Sequence, residues 1–207
     1  ILHARMSIPS LSLSDSEIAD VVVHLYPDCE EPPVGVADLL WVRDPLALAW
    51  KANTPDGCYL KLGYIAEEGS ALFVLNPSGT EMWIAWSGTA TIRDVAALLS
   101  GPVQSCLLRV RGHTLLHSSV VAVDGRGLAM IGTVKAGKST TAMALLQLGA
   151  TVLSDDIAVL VERGDGFDVR PCDPRLRLGQ DSAEIRSTQR ELFFVPRMAL
   201  ELVGNRF

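Results

Sequence analysis

A chain of 207 residues with 48% hydrophobic side chains has ample apolar material for a core, which excludes intrinsic disorder. The length fits one α/β domain, alone or with a small accessory lobe. Its 18 Lys and Arg against 24 Asp and Glu leave a formal charge of −6, the wrong sign for displacing counterions from nucleic-acid phosphates. The longest window free of charge, Ser139–Ser154, is broken by Ser, Thr and Gln and falls short of the roughly 20 apolar residues of a membrane span. Neither a nucleic-acid nor a membrane partner is expected.

The four cysteines (Cys29, Cys58, Cys106 and Cys172) form no C-x-x-C pair and read as reduced, mostly buried thiols of a cytoplasmic protein. The four histidines show no H-x-x-x-H spacing, so a zinc site has little support. The chain opens at Ile1 without a positively charged segment leading into an apolar one, so no signal peptide is expected.

In chain order, the first hundred residues predict a β-rich lobe. Strand patterns run over 20–26, 58–64, 71–75 and 82–86, with turns at Pro27–Pro33, Thr54-Pro55-Asp56-Gly57 and Asn76-Pro77-Ser78-Gly79. Thr91 with Asp94 three residues on is a capping-box-like helix start. Val95, Leu98 and Leu99 then supply an apolar stripe, which Gly101-Pro102 is expected to stop. Residues 103–111 read as a connecting strand. Trp41, Trp50, Trp83 and Trp86 suit core and interface filling better than a ligand-stacking platform.

The second half is patterned more sharply. Leu115–Val123 and Leu128–Ile131 flank Asp124-Gly125-Arg126-Gly127 as a β-hairpin that runs into a glycine-bracketed loop. Ser139–Leu148 carries the apolar spacing of a helix ended by Gly149. A short strand, Thr151–Leu153, ends at Ser154-Asp155-Asp156, and a second hairpin turns at Gly164-Asp165-Gly166.

The loop Gly132-Thr133-Val134-Lys135-Ala136-Gly137-Lys138-Ser139 satisfies G-x-x-x-x-G-K-[ST] without a mismatch. The chemistry needs this spacing. Glycines let the backbone curl so that successive N–H groups face phosphate oxygens, and the following helix adds its positive end. Lys138 then reaches the β- and γ-phosphates, and the Ser139 hydroxyl ligates Mg²⁺. Asp155 and Asp156 lie 17 and 18 residues after Lys138. In a parallel βαβ unit both strands end on one edge, so the pair is expected to face the loop, one carboxylate serving Mg²⁺ and the other a proton. His117 precedes the loop on the same hairpin. Arg175 and Arg177 are spaced to share one side of an extended segment and to neutralise transferred charge, or simply to decorate the surface.

The stretch His117–Gly125, the loop through Thr140, and Gly149–Asp156 together resemble the catalytic domain of the HPr serine kinase/phosphorylase family. Phosphoenolpyruvate carboxykinases of the ATP-using kind share a similar nucleotide core. The resemblance covers about residues 112–178. It implies an α/β fold with a P-loop, HPr-kinase-like (carboxykinase-like) nucleotide core at 105–207 and an N-terminal β-rich α+β lobe at 1–104. It also implies ATP and Mg²⁺ as cofactors, bound by Gly132–Thr140, with Ser139 and Asp156 at the metal, Asp155 as the base, Lys138 on the phosphates, and His117 near them. Thr140 stands where HPr kinases have an acidic residue, and nothing after Asp173 matches their E-x-R-G-x-G stretch.

Residues Leu116–Ala122 are more similar to the HPr-kinase-like enzymes of lasso-peptide biosynthesis. That resemblance implies phosphorylation of the C-terminal serine of a precursor peptide, with the β-rich lobe selecting the peptide. The alternatives are an HPr-type protein serine kinase/phosphorylase, a non-catalytic ATP-binding regulator, and a carboxykinase-like metabolic enzyme.

Overall fold

The computed structural model describes residues 2–4, 20–32, 35, 38–40, 42–43, 49–65, 68–133, 135–164 and 166–170. They are mixed α/β, rich in sheet and poor in helix. The chain divides into two compact units, Ile1–Arg111 and Gly112–Phe207. No helix among the described residues is long and apolar enough to cross a membrane.

Among its described residues the first unit has seven strands: β1 (Leu2–Ala4), β2 (Val21–Pro27), β3 (Val42–Arg43), β4 (Ala49–Thr54), β5 (Gly57–Ile65), β6 (Gly69–Leu75) and β7 (Glu81–Gly88). They lie in the order β1-β2-β7-β6-β5-β4-β3. Strands β3 to β7 form an antiparallel meander, and β2 joins β7 in parallel. The strands expected from alternation are all present; β1, β3 and β4 carry too little apolar pattern to have been seen in the sequence. The turn at Pro55-Asp56 closes β4 onto β5, with the Thr54 hydroxyl donating to the Gly57 carbonyl at 3.0 Å.

Helix α1 (Ile92–Leu98) starts as its sequence predicts. Asp94 donates its backbone N–H to Thr91 Oγ1, while Thr91 donates its own to the Asp94 carboxylate at 2.8 Å. The expected stop at Gly101-Pro102 does not end the helical path. A π-turn at Leu99–Val103 absorbs the proline, with Gly101 leaving helical geometry, and the chain re-enters helix as α2 (Gln104–Val110). The connecting strand expected over 103–111 is thus a helix that stays with the first unit. Val103 and Leu107 are spaced i, i+4 and are both buried, so burial of one helical face prevails over the extended reading. Phe73, Leu75, Met82 and Ile84 of the sheet are fully buried, as are Val95, Leu98 and Val103 of the helical segment.

Two of the tryptophans lie outside that interior. Trp83 stacks on His24 with ring centroids 5.5 Å apart, and Lys61 Nζ lies 5.8 Å over the Trp50 ring. Trp86 is buried, and Trp41 lies outside the described residues. Cys29, Cys58 and Cys106 are free thiols; Cys58 is exposed and the other two half-buried, against the expectation of burial, and Cys172 lies outside the described residues.

Among its described residues the second unit has two three-stranded sheets. One is β10-β9-β11, from β9 (Ser118–Val123), β10 (Arg126–Ile131) and β11 (Thr151–Ser154); the other is β13-β12-β8, from β8 (Thr114–Leu116), β12 (Ala158–Arg163) and β13 (Gly166–Arg170). Asp124 and Gly125, at φ +49° and +73°, form the two-residue hairpin turn that an Asp-Gly pair favours. Helix α3 (Lys138–Gln147) connects β10 to β11 and lays Ala142 and Met143 on Val121 of β9.

The expected parallel βαβ pairing does not form, because β9 lies between β10 and β11 and pairs antiparallel with each. Both flanking strands therefore still run the same way, and their C-terminal ends share one edge. The apolar run 115–123 is likewise two strands, β8 and β9, in different sheets. His117 stands where the chain steps from one sheet to the other. The return step, from β11 to β12, passes through Asp155, Asp156 and Ile157.

Candidate functional site

These features meet at the shared edge of β10 and β11. The loop leaves β10 at Gly132, where an added Cβ would stand 3.0 Å from the Ala136 Cβ, and Ala136 donates its N–H to the Thr133 carbonyl at 3.1 Å. Lys135 takes φ +65° and Gly137 φ +86°, left-handed values that curl the backbone before α3. Val134 lies outside the described residues.

The start of α3 is electrostatically unusual. Gly137 provides no side-chain cap, the first turn holds no acidic residue, and Lys138 and Ser139 occupy its first positions. An isolated helix prefers a capping oxygen and negative charge there. The unmet positive end is suited to an external anion. Lys138 Nζ arches back over the loop and donates to the carbonyls of Gly132 at 3.0 Å and Thr133 at 3.1 Å. Thr140 is exposed in the same turn.

Asp155 closes the site from the other strand. A bulge shifts the β11–β9 register between Val152 and Ser154, so Val152 faces Val121 but Ser154 faces Val120. The extra residue re-aims everything after it. Ser154 turns inward and donates to the Ile157 carbonyl, and Asp155, 4% exposed, turns toward the α3 side. There the Ser139 hydroxyl lies 2.9 Å from Asp155 Oδ1 and 3.0 Å from Oδ2, and Ser119 Oγ of β9 donates to Oδ1.

Asp156, at φ +73°, turns the other way. Its carbonyl oxygen lies 2.9 Å from His117 Nδ1 and its Oδ1 3.0 Å from the same nitrogen. Both are acceptors, so Nδ1 carries the proton, and the neutral ring keeps its lone pair on Nε2. The hydrogen bond that His117 donates to the Asp156 side chain raises its pKa above the ordinary 6.5, against partial burial and the nearby Lys138 charge.

The structure thus brings Gly132, Thr133, Lys135, Ala136, Gly137, Lys138, Ser139, Asp155, Asp156 and His117 to one edge. Arg175 and Arg177 lie outside the described residues. The hydrogen bonds pair Ser139 with Asp155 and His117 with Asp156. Ser119 had no assigned role in the sequence reading; its one signal there is a pair of serines opening an otherwise apolar strand. Comparison with family models, with curated proteins and with solved structures gives no match to this chain.

Proposed function

We propose that the chain is a Mg·ATP-dependent kinase acting on a serine hydroxyl of a peptide, with the C-terminal serine of a lasso-peptide precursor as acceptor. The observation that carries this reading is the hydrogen bond between Ser139, at the end of the glycine loop, and the buried Asp155 carboxylate. It joins a phosphate-type backbone loop to a hard oxygen pair. The resemblance of Leu116–Ala122 to the lasso-associated enzymes supplies the acceptor.

The donor set suits Mg²⁺, which takes oxygen ligands, keeps several waters, and is held by one or two carboxylates beside substrate phosphates. Ser139 and Asp155 would hold it, and it would neutralise charge on the transferring phosphoryl group. This division differs from the resemblance, which gives the metal to Asp156. Asp155 is enclosed and already receives two hydroxyl donors, which suits a metal ligand and leaves an incoming hydroxyl little access.

The loop N–H groups and the start of α3 bind the phosphates, and Lys138 exchanges its two carbonyl partners for phosphate oxygens. His117 is about half exposed and oriented by Asp156, so its Nε2 takes the acceptor hydroxyl proton. The serine oxygen bonds to the γ-phosphorus as the bond to the departing ADP oxygen breaks. Positioning and charge neutralisation supply most of the acceleration.

The test incubates the chain with Mg·ATP and a synthetic precursor peptide ending in serine. The expected product is the peptide heavier by one phosphoryl group on that serine. Phosphorylation of HPr instead of the peptide would move the enzyme to the HPr-kinase alternative. Tight ATP binding with no product from either acceptor would leave a nucleotide-binding regulator.

A further inference from the structure

Ser118 and Ser119 open β9, and both are fully buried. Burying a hydroxyl is costly unless it finds a partner. Ser118 Oγ finds none among the described residues. Ser119 Oγ donates its single proton to Asp155 Oδ1. Neighbours on a strand face opposite ways, and Ser119 shares the α3-facing side with Val121, which packs on Ala142 and Met143. Asp155 itself lies beyond the bulge and just before the left-handed Asp156, where no regular ladder sets the direction of its side chain.

We propose that Ser119 is a positioning residue: its hydroxyl anchors the Asp155 carboxylate from the strand β9 side so that both oxygens meet Ser139 and the divalent cation. This rests on the phosphoryl-transfer reading above. Ser119 does not touch nucleotide or acceptor; it acts through Asp155, as outer-shell donors orient metal-ligating carboxylates. Loss of the hydroxyl therefore affects the metal requirement and spares the loop's grip on the phosphates, whereas a space-filling serine would affect neither selectively.

The experiment measures ATP binding to the full chain by calorimetry, first in EDTA and then across a Mg²⁺ titration. It compares the unaltered chain with Ser119→Ala, Ser119→Cys, Ser119→Thr and Ser118→Ala. In Ser119→Ala the metal-free affinity is expected to stay within about twofold while the Mg²⁺ concentration for half-maximal enhancement rises about 10-fold. Ser119→Cys, which keeps the volume but donates weakly, should shift the same way and serves if the alanine variant does not fold. Ser119→Thr should restore the original requirement, and Ser118→Ala should leave it unchanged.

An unaltered Mg²⁺ requirement in the alanine and cysteine variants overturns the role of Ser119 alone. So does a proportional loss of metal-free affinity, which marks a general packing effect. If the unaltered chain binds ATP with no dependence on divalent metal, the phosphoryl-transfer reading fails and this role fails with it.

Discussion

The Ser139 hydroxyl sits 2.9 Å and 3.0 Å from the two oxygens of Asp155, although the residues belong to a helix start and a strand end separated by the whole of α3. Of two adjacent carboxylates, this one accepts from the hydroxyl at the end of the loop. Its neighbour Asp156 engages His117 instead. In the proposed kinase, metal holding and proton transfer would thereby fall to two neighbouring residues, Asp155 and the Asp156–His117 pair.

Lys138→Ala and Asp155→Asn are each expected to lower phosphoryl transfer by about 100-fold or more, the scale of losing one preorganised charge partner of a transition state. Both should keep the far-ultraviolet circular dichroism of the unaltered chain. Transfer at the original rate in Asp155→Asn would remove Asp155 from the reaction.

His117 links folding to pH. Its pKa is raised in the folded state by Asp156, so the pair's stabilisation is fully present below the ordinary 6.5 and is lost as pH rises through the higher folded value. Urea denaturation should show His117→Gln less stable than the unaltered chain at acidic pH, with the gap closing as pH rises past the folded value. A gap that widens with pH would contradict the hydrogen bond seen between the two residues. Peptide phosphorylation by His117→Gln should fall most above the raised folded pKa, where the unaltered ring is neutral and Nε2 is free to accept the proton.

Gly137 has no neighbour within 4 Å of the position a Cβ would take, so the cost of Gly137→Ala is one of backbone conformation at φ +86°. A stability loss of about 1–2 kcal/mol is expected, the strain of an L residue held left-handed. If the loop relaxes to avoid that strain, nucleotide affinity falls instead. Parallel denaturation and ATP titrations read both; a variant unchanged in each would mean that the left-handed turn is dispensable.

Ser118 offers a stability gain. Removing a buried hydroxyl that has no partner among the described residues should leave Ser118→Ala equal to or about 1 kcal/mol more stable than the unaltered chain. A clear loss of stability on denaturant titration would reveal a partner for that hydroxyl.

Much of the site's inventory was legible in consecutive residues. The loop motif, the helix after it, the capping box at Thr91 and the Asp124-Gly125 turn are local codes, decided by torsional freedom and by hydrogen bonds a few residues apart. The helix at Gln104–Val110 was missed because the Gly101-Pro102 pair signals a stop, while the burial that overrules it comes from the folded unit.

What the linear chain determined by itself is which chemical groups are present and that a glycine loop leads into a helix. Only the folded unit decided which aspartate meets Ser139, that β9 intervenes between β10 and β11, and that a serine from β9 reaches Asp155. The reason is geometric: successive residues at a strand end face opposite sides, and a one-residue bulge in β11 inverts the choice. That bulge is a property of pairing between distant segments, and no short stretch of residues contains it.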